Sequence, residues 1–301
     1  MSGTHAIGVD LGGTKILAGV VTRDGEILRR HERSTPQDSQ ESVVRELEAA
    51  VAELLDDSVA AIGFGVPSPI NQIDGRVVET VNLPLRDFPL RDHIRSRFGL
   101  PAGLDNDANA AAIAEWRAGA GRGVDDLVML TLGTGLGGGV ISGGKPFRVS
   151  GGGLELGHVV IVHDGRPCQG GCQGRGHLEP YVTGLAASLA AQDAFGLSSD
   201  AYGLIRLAKE GDTKAQAVLS EIGGYLGSGM GSFANIFAPE LIVIGGGFGV
   251  AGWDFLMPQA EVVLRREALR PMRDVVRVVP AELGTAAGLI GAGFVGFEAL
   301  E

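Results

Sequence analysis

The chain has 301 residues, 45% of them hydrophobic, and a formal net charge of −11 at neutral pH. That apolar content excludes a disordered chain and is enough to bury a large core, and the length is a prior for two domains. The acidic balance contains no run of lysine and arginine, which excludes an electrostatic footprint for nucleic acid or for an anionic membrane. The N-terminal MSGTHAIGVDLGGTK lacks a basic region followed by an apolar core, so no signal peptide is predicted. No uncharged apolar stretch reaches spanning length, and the expectation is a cytoplasmic protein.

Taken in chain order, AIGVDLGGTKILAGVVTRDGEILRRHE predicts a meander of three strands. Its first connection is a glycine turn after Val9 and its second an Asp24-Gly25 hairpin turn. DSQESVVRELEAAVAELLDD repeats apolar positions at helical spacing, with Asp38 or Ser39 as the cap. VAAIGFGVP is a buried strand stopped by proline, and LPAGLDNDANAAAIAEWRAGAG a short strand running into an alanine-rich helix that begins near Asp107. DLVMLTLGTGLGGGVISGGKPF then opens the second half as the first half opened: strand, Gly-Thr turn, glycine-rich return strand. A mainly helical stretch from Val182 to Phe237 follows, then a strand LIVIGGG, a helix around Ala260 to Ala268, a strand VVRVVPA and a closing helix from Ala286 to Leu300.

The internal duplication, DLGGTKILAGVVTRDG against LGTGLGGGVISGG, is the main organisational clue. It predicts an α/β protein with one domain over 1–107, joined by the C-terminal helix 286–301, and a second over 108–285. Glycine is abundant, with 49 residues in clusters that lack a collagen period, and this predicts many tight turns.

GTGLGGGV, Gly133 to Val140, matches the dinucleotide GxGxxG string, but that motif needs a helix directly after the glycines and here a β-type return follows. The protein-kinase reading fails for want of His-Arg-Asp and Asp-Phe-Gly segments, and no GxxxxGK[ST] loop occurs. What remains is a pair of hairpin turns whose successive backbone N–H groups can grip an anion from two sides. The candidate nucleotide contacts are Asp10, Gly12, Gly13, Thr14 and Lys15 at the first turn and Gly133, Thr134 and Gly135 at the second. A single turn of this kind would be explained by hairpin geometry alone; two matched turns point to phosphate. Asp10 adds a carboxylate suited to a phosphate-bound Mg²⁺. The only cysteines, Cys168 and Cys172, lie in CQGGCQGRGHLE with His177 and Glu179. In a reducing compartment they suit metal ligands, catalytic groups or inert core better than a structural disulfide.

GVDLGGTK, NDANAAAIAE, LGTGLGGGVISGG, GGGLELGH, the Cys/His/Glu segment and LIVIGGG together resemble, in order and spacing, the ROK family of sugar kinases, bacterial glucokinases above all. The resemblance implies a two-domain actin-like or hexokinase-like ATPase fold of duplicated ribonuclease H-like domains, with ATP and sugar in an inter-domain cleft. It implies Asp107 as catalytic base, which also contacts the sugar. Asn106, Glu155, His158 and Glu179 would hold the sugar, Ser68 and Asn82 would lie in its recognition segment, and Gly245, Gly246 and Gly247 would lie on the adenosine side. From residue type alone, Asp107 could equally be a helix cap, and the glycines at 245–247 a flexible loop after a strand.

Family members commonly hold a structural Zn²⁺ with one histidine and three cysteines. Here the resemblance implies His158, Cys168, Cys172 and His177, with the cysteines spaced more widely and His177 in place of the last thiol. Two thiolates and two imidazoles form an ordinary tetrahedral set; a Cys168–Cys172 disulfide, reduced bystanders, or His163 in place of one ligand are the competing arrangements. The implied activity is ATP- and Mg²⁺-dependent phosphorylation of a hexose, glucose first, by a homodimer without nucleic-acid or membrane partners. A kinase for fructose, mannose or N-acylmannosamine and a polyphosphate-dependent glucokinase are the alternatives among enzymes. A sugar-sensing transcription regulator is the alternative from another class, one that the early start of the first turn at Asp10 disfavours.

Overall fold

The computed structural model describes residues 3–80, 82–149, 154–196 and 198–301. Gly151, Gly152 and Gly153, which open the GGGLELGH segment, lie outside the described residues. The elements run β1 (His5–Leu11), β2 (Lys15–Val21), β3 (Ile27–Ser34), α1 (Gln40–Leu54), β4 (Val59–Val66), β5 (Ile70–Asn71), β6 (Arg76–Glu79), β7 (Arg86–Phe88), α2 (Leu90–Phe98), β8 (Ala102–Asn106) and α3 (Asp107–Ala118). They continue with β9 (Leu127–Leu132), β10 (Leu136–Ser142), β11 (Lys145–Pro146), a 3-10 turn (Leu156–His158), α4 (Glu179–Val182), α5 (Gly184–Phe195), α6 (Ala201–Lys209) and α7 (Thr213–Phe237). The last are β12 (Leu241–Gly245), α8 (Gly247–Ala251), α9 (Trp253–Glu267), α10 (Met272–Val275), β13 (Arg277–Pro280) and α11 (Ala287–Glu298).

Two compact units result: Met1–Arg122 with Pro146–Leu154 and Thr285–Glu301, and Gly123–Lys145 with Glu155–Gly284. The sequence divides the chain at Asp107; the first unit runs on to Arg122, with α3 packed against α11. The first sheet has the order β3-β2-β1-β4-β8 and the second β11-β10-β9-β12-β13. In each, an antiparallel hairpin (β1–β2, β9–β10) is followed by parallel strands. The duplication read from the glycine turns is therefore a duplication of topology, and the turns at 12–14 and 133–135 occupy equivalent hairpins.

Helix α1 forms because Val43, Val44, Leu47, Ala50, Val51 and Leu54 recur on one buried face. Ser39 is its cap, accepting from Ser42 N at 3.2 Å, with Glu41 in the first turn where the helix dipole favours an anion. The small sheet β5-β6-β7 and helix α2 have no counterpart in the sequence reading. Their periodic segments are too short to show a pattern; Leu90 and Ile94 are the buried residues of α2.

The glycine content is only partly a matter of turns. Gly19, Gly8, Gly63 and Gly103 stand side by side across β2, β1, β4 and β8. A Cβ on Gly8, Gly63 or Gly103 would lie 2.2, 1.8 or 2.1 Å from the carbonyl oxygen of Leu289, Ala292 or Val295. This row of missing side chains lets α11 rest directly on the sheet, backbone against backbone, so its apolar residues fill the space beside the glycines. In the second unit, a Cβ on Gly223 or Gly227 of α7 would lie 2.2 or 2.4 Å from Leu256 O or Ala260 O of α9. That close approach accompanies a helix α9 that runs from Trp253 through Pro258, where the sequence places its start near Ala260.

Candidate active site

In the first unit β8 ends in Asp105 and Asn106, and α3 starts at Asp107. Asn106, not Asp107, is the cap: its side-chain oxygen accepts from Ala108 N at 2.9 Å and Asn109 N at 3.2 Å. Its amide nitrogen donates to Ser68 O at 3.4 Å through one of the two N–H groups it carries. Asp107 is the first helical residue, its Oδ1 accepting from Ala108 N at 2.8 Å.

Asp105, which the sequence reading passed over, is fully buried beneath this junction. It accepts from Asn106 N (2.8 Å), Asn109 Nδ2 (3.0 Å) and Arg148 Nε (2.6 Å). Arg148 Nη2 also meets Glu298 Oε2 at 2.7 Å, and Arg117 meets Glu298 Oε1 at 2.9 Å. Burial alone would lower the Arg148 pKa; the carboxylates of Asp105 and Glu298 outweigh it, and the guanidinium lies above its ordinary value.

The first glycine turn is held from one side. Thr35 Oγ1 donates to Gly12 O (2.8 Å), Gln37 Nε2 to Gly13 O (2.7 Å) and Thr35 N to Thr14 O (3.0 Å). In a trans peptide, carbonyl and the following N–H point oppositely, so the amides of Gly13 and Thr14 face away from that support. Lys15 pairs at the surface with Glu32 at 3.0 Å. Asp10, at the end of β1, lies against α11, where a Cβ on Gly288 would come 2.4 Å from its Oδ2.

Burial first, and then the charge of Asp107, push the Asp10 carboxyl up to about 6, against a smaller opposing effect of Lys15. Because this folded value lies above the ordinary 3.8, folded Asp10 keeps its proton between about pH 4 and 6 while the unfolded chain loses it. The stabilisation is therefore present in acid and is lost as pH rises through about 6. Asp10→Asn is expected to be more stable than the parent at pH 7.5, on the order of 2 kcal/mol, and to show no advantage near pH 4. Urea unfolding at both pH values checks this; an equal difference at the two would overturn it.

In the second unit Gly133 N donates to Gly135 O at 3.0 Å, closing the other turn. Gly246 takes a left-handed conformation (φ 80°), and a Cβ there would lie 2.3 Å from Leu132 O, so glycine is required for packing against the end of β9. Gly245 and Gly247 flank it, the latter beside the Tyr202 hydroxyl. Glu155 is exposed and precedes the 3-10 turn that ends in His158. Glu179 is the first residue of α4, and its Oε2 accepts from Leu136 N at 2.9 Å. In the first unit Ser68 is buried with its hydroxyl bonded to backbone at Pro69 and Glu79 (2.8–3.1 Å), and Asn82 is exposed.

His158, Cys168, Cys172 and His177 converge, with one donor atom from each lying within 4.8 Å of all the others; His163 is not among them. His158 Nδ1 is 3.0 Å from His177 Nδ1, Cys168 Sγ 3.4 Å from His158 Nδ1, and Cys172 Sγ 3.7 Å from His177 Nδ1. With Zn–N near 2.0 Å and Zn–S near 2.3 Å, a tetrahedron has edges of roughly 3.3 to 3.8 Å, so the donor set fits zinc after shifts of a few tenths. Both cysteines are free thiols. Burial first, then the neighbouring Cys172, push the Cys168 thiol up to about 11, which is the crowding a bound cation would relieve. The loop is shaped for it: Cys168 N donates to Gly174 O (2.9 Å) and Gly174 N to Cys172 Sγ (3.4 Å). Donation through Nδ1 leaves His158 Nε2 directed at Glu155 Oε2, 3.9 Å away.

Among the described residues no helix is long and apolar enough to cross a membrane. A glucokinase of Streptomyces coelicolor is 35% identical over 305 residues, which cover 95% of each chain. The crystal structure of a ROK family glucokinase from Streptomyces griseus, in complex with glucose and AMPPNP, superposes with a TM-score of 0.82 at 35% identity, covering 98% of this chain and 99% of that one. A ROK hexokinase from Thermus thermophilus gives a TM-score of 0.85 at 34% identity over the same shares. The architecture is accordingly the two-domain actin-like ATPase fold. Residues 6–295 match the model of the ROK family, and with duplicated sheets, paired glycine hairpins and the Cys/His cluster all in place, the chain belongs to that family.

Proposed function

We propose that the protein is a cytoplasmic ATP-dependent hexose kinase that phosphorylates the 6-hydroxyl of glucose. Its likeness to glucokinases, one of them crystallised with glucose and an ATP analogue, supports the reaction class. The observation that carries the assignment of roles is the β8–α3 junction, where Asn106 takes the cap and Asp107 follows it as a separate carboxylate.

Asp107 accepts the proton of the sugar 6-hydroxyl as that oxygen forms its bond to the γ-phosphorus; the bond from γ-phosphorus to the β–γ bridging oxygen breaks, and ADP leaves with the electron pair. Asp107 then returns its proton to solvent. The amides of Gly13 and Thr14 and the turn Gly133–Gly135 cradle the phosphates. Asp10 would hold the Mg²⁺ that accompanies ATP, whose charge would favour the ionised carboxylate. Glu155, His158 and Glu179 hold sugar hydroxyls, with Asn82 and the Ser68 segment shaping the recognition loop. Zn²⁺ on His158, Cys168, Cys172 and His177 would be structural, since four protein donors leave no open position for water. The family resemblance further suggests that the protein acts as a homodimer.

The test is a coupled ADP-release assay with glucose, fructose, mannose and N-acylmannosamine, comparing ATP with polyphosphate as donor by product formation. Glucose with ATP is expected to give the highest kcat/KM. Absence of turnover with every pairing would refute the reading.

A further inference from the structure

The segments assigned to metal and sugar also grip the second glycine turn. Glu179 Oε2 accepts from Leu136 N, the first amide of β10, at 2.9 Å. Gly184 N, at the start of α5, donates to Gly133 O at 2.8 Å. The turn is thus tied at both ends by one stretch, Glu179 to Gly184, that begins just after the metal donor His177. From the other side the 3-10 turn ending in His158 lies on β10. A Cβ on Gly157 would be 2.7 Å from Leu136 O, and one on Gly138 would be 2.6 Å from Leu156 Cδ1. The Cys/His cluster therefore joins the two segments that flank the turn, and the bridge between Val160 and His177 runs alongside it.

From this geometry we infer that Glu179 is a positioning residue for the nucleotide phosphates, holding the Gly133–Gly135 turn through Leu136 N–H, and that the His158/Cys168/Cys172/His177 set keeps its carboxylate in register. A turn with two glycines samples many backbone conformations; ordering it beforehand removes an entropic cost from phosphate binding. The hydrogen bond requires only an acceptor at the end of the side chain, whereas the sugar role proposed above uses the carboxylate. The two roles separate by substitution. The inference rests on the kinase reading for the identity of the ligand, not for the hold on the turn.

The test combines amide hydrogen exchange of a peptide covering 132–137 with titration of AMPPNP against the full-length protein. In Glu179→Ala the Leu136 amide is expected to exchange about tenfold faster and the AMPPNP Kd to rise about tenfold, the effect of one lost hydrogen bond to a carboxylate. Glu179→Gln, whose side-chain carbonyl accepts the same bond, is expected to restore slow exchange and hold the Kd within about twofold of the parent. Chelation of metal from the unsubstituted protein is expected to speed exchange of the same peptide, which reads the turn even where Glu179→Ala does not fold. Unchanged exchange in Glu179→Ala, or equal acceleration in Glu179→Gln, overturns the inference, and so does exchange indifferent to chelation for the metal's part in it. Exchange behaving as expected while the parent binds no AMPPNP refutes the kinase reading and leaves the hold on the turn established.

Discussion

Asp107→Asn is expected to lower kcat about a thousandfold, in the middle of the range for a general base, while the dissociation constants for sugar and nucleotide stay within a few-fold. Asparagine has the same shape, and its side-chain oxygen can keep the contact with Ala108 N that Asp107 Oδ1 makes at 2.8 Å. The cap is on Asn106, so α3 does not depend on the substituted residue. What disappears is a site that can take a proton from the 6-hydroxyl, a need felt only in the transition state, so kcat falls and binding does not. The substitution also removes the charge that helps raise Asp10, and Asp10 is expected to ionise at a lower pH in the variant. Steady-state kinetics beside calorimetric titration of glucose reads the first effect; turnover within tenfold of the parent would remove Asp107 from the mechanism.

Loss of the metal set is the second large effect. Purified protein is expected to carry one zinc per chain. Cys172→Ser, or exhaustive chelation, is expected to lower the melting temperature by about 10 °C, since several kcal/mol of binding energy act as folding energy in a unit of this size. Stripped of a cation, the loop keeps two imidazole nitrogens 3.0 Å apart and a Cys168 thiol pushed up to about 11, and it rests on backbone hydrogen bonds such as Cys168 N to Gly174 O and Gly176 N to Arg166 O. Metal analysis with scanning calorimetry decides it: metal-free protein with a melting point indifferent to chelator would dismiss zinc and leave the convergence of these side chains without a ligand.

Much of the fold was legible because its signals are local. The α1 pattern and cap, the hairpin turns and the strand before Asp107 each depend on residues within one helical turn or one hairpin. The gathering of His158, Cys168, Cys172 and His177 was expected from the family resemblance, and the four donors lie within one short stretch of chain. The roles proposed for Asp107, Glu155 and Glu179 come from the family resemblance, and spacing alone does not give them.

The chain's own order of residues determined the duplicated hairpins and the place of Asp107 at a strand-to-helix junction, since each follows from neighbours along the backbone. The folded arrangement alone decided that a row of glycines would seat α11 on the first sheet, that Arg148 would join Asp105 to Glu298, the latter 150 positions beyond the arginine, and that Glu179 would reach the Leu136 amide. These are contacts between segments remote in sequence. Their free energy comes from burial and hydrogen bonding that exist only once the sheets have assembled, and no local preference announces them.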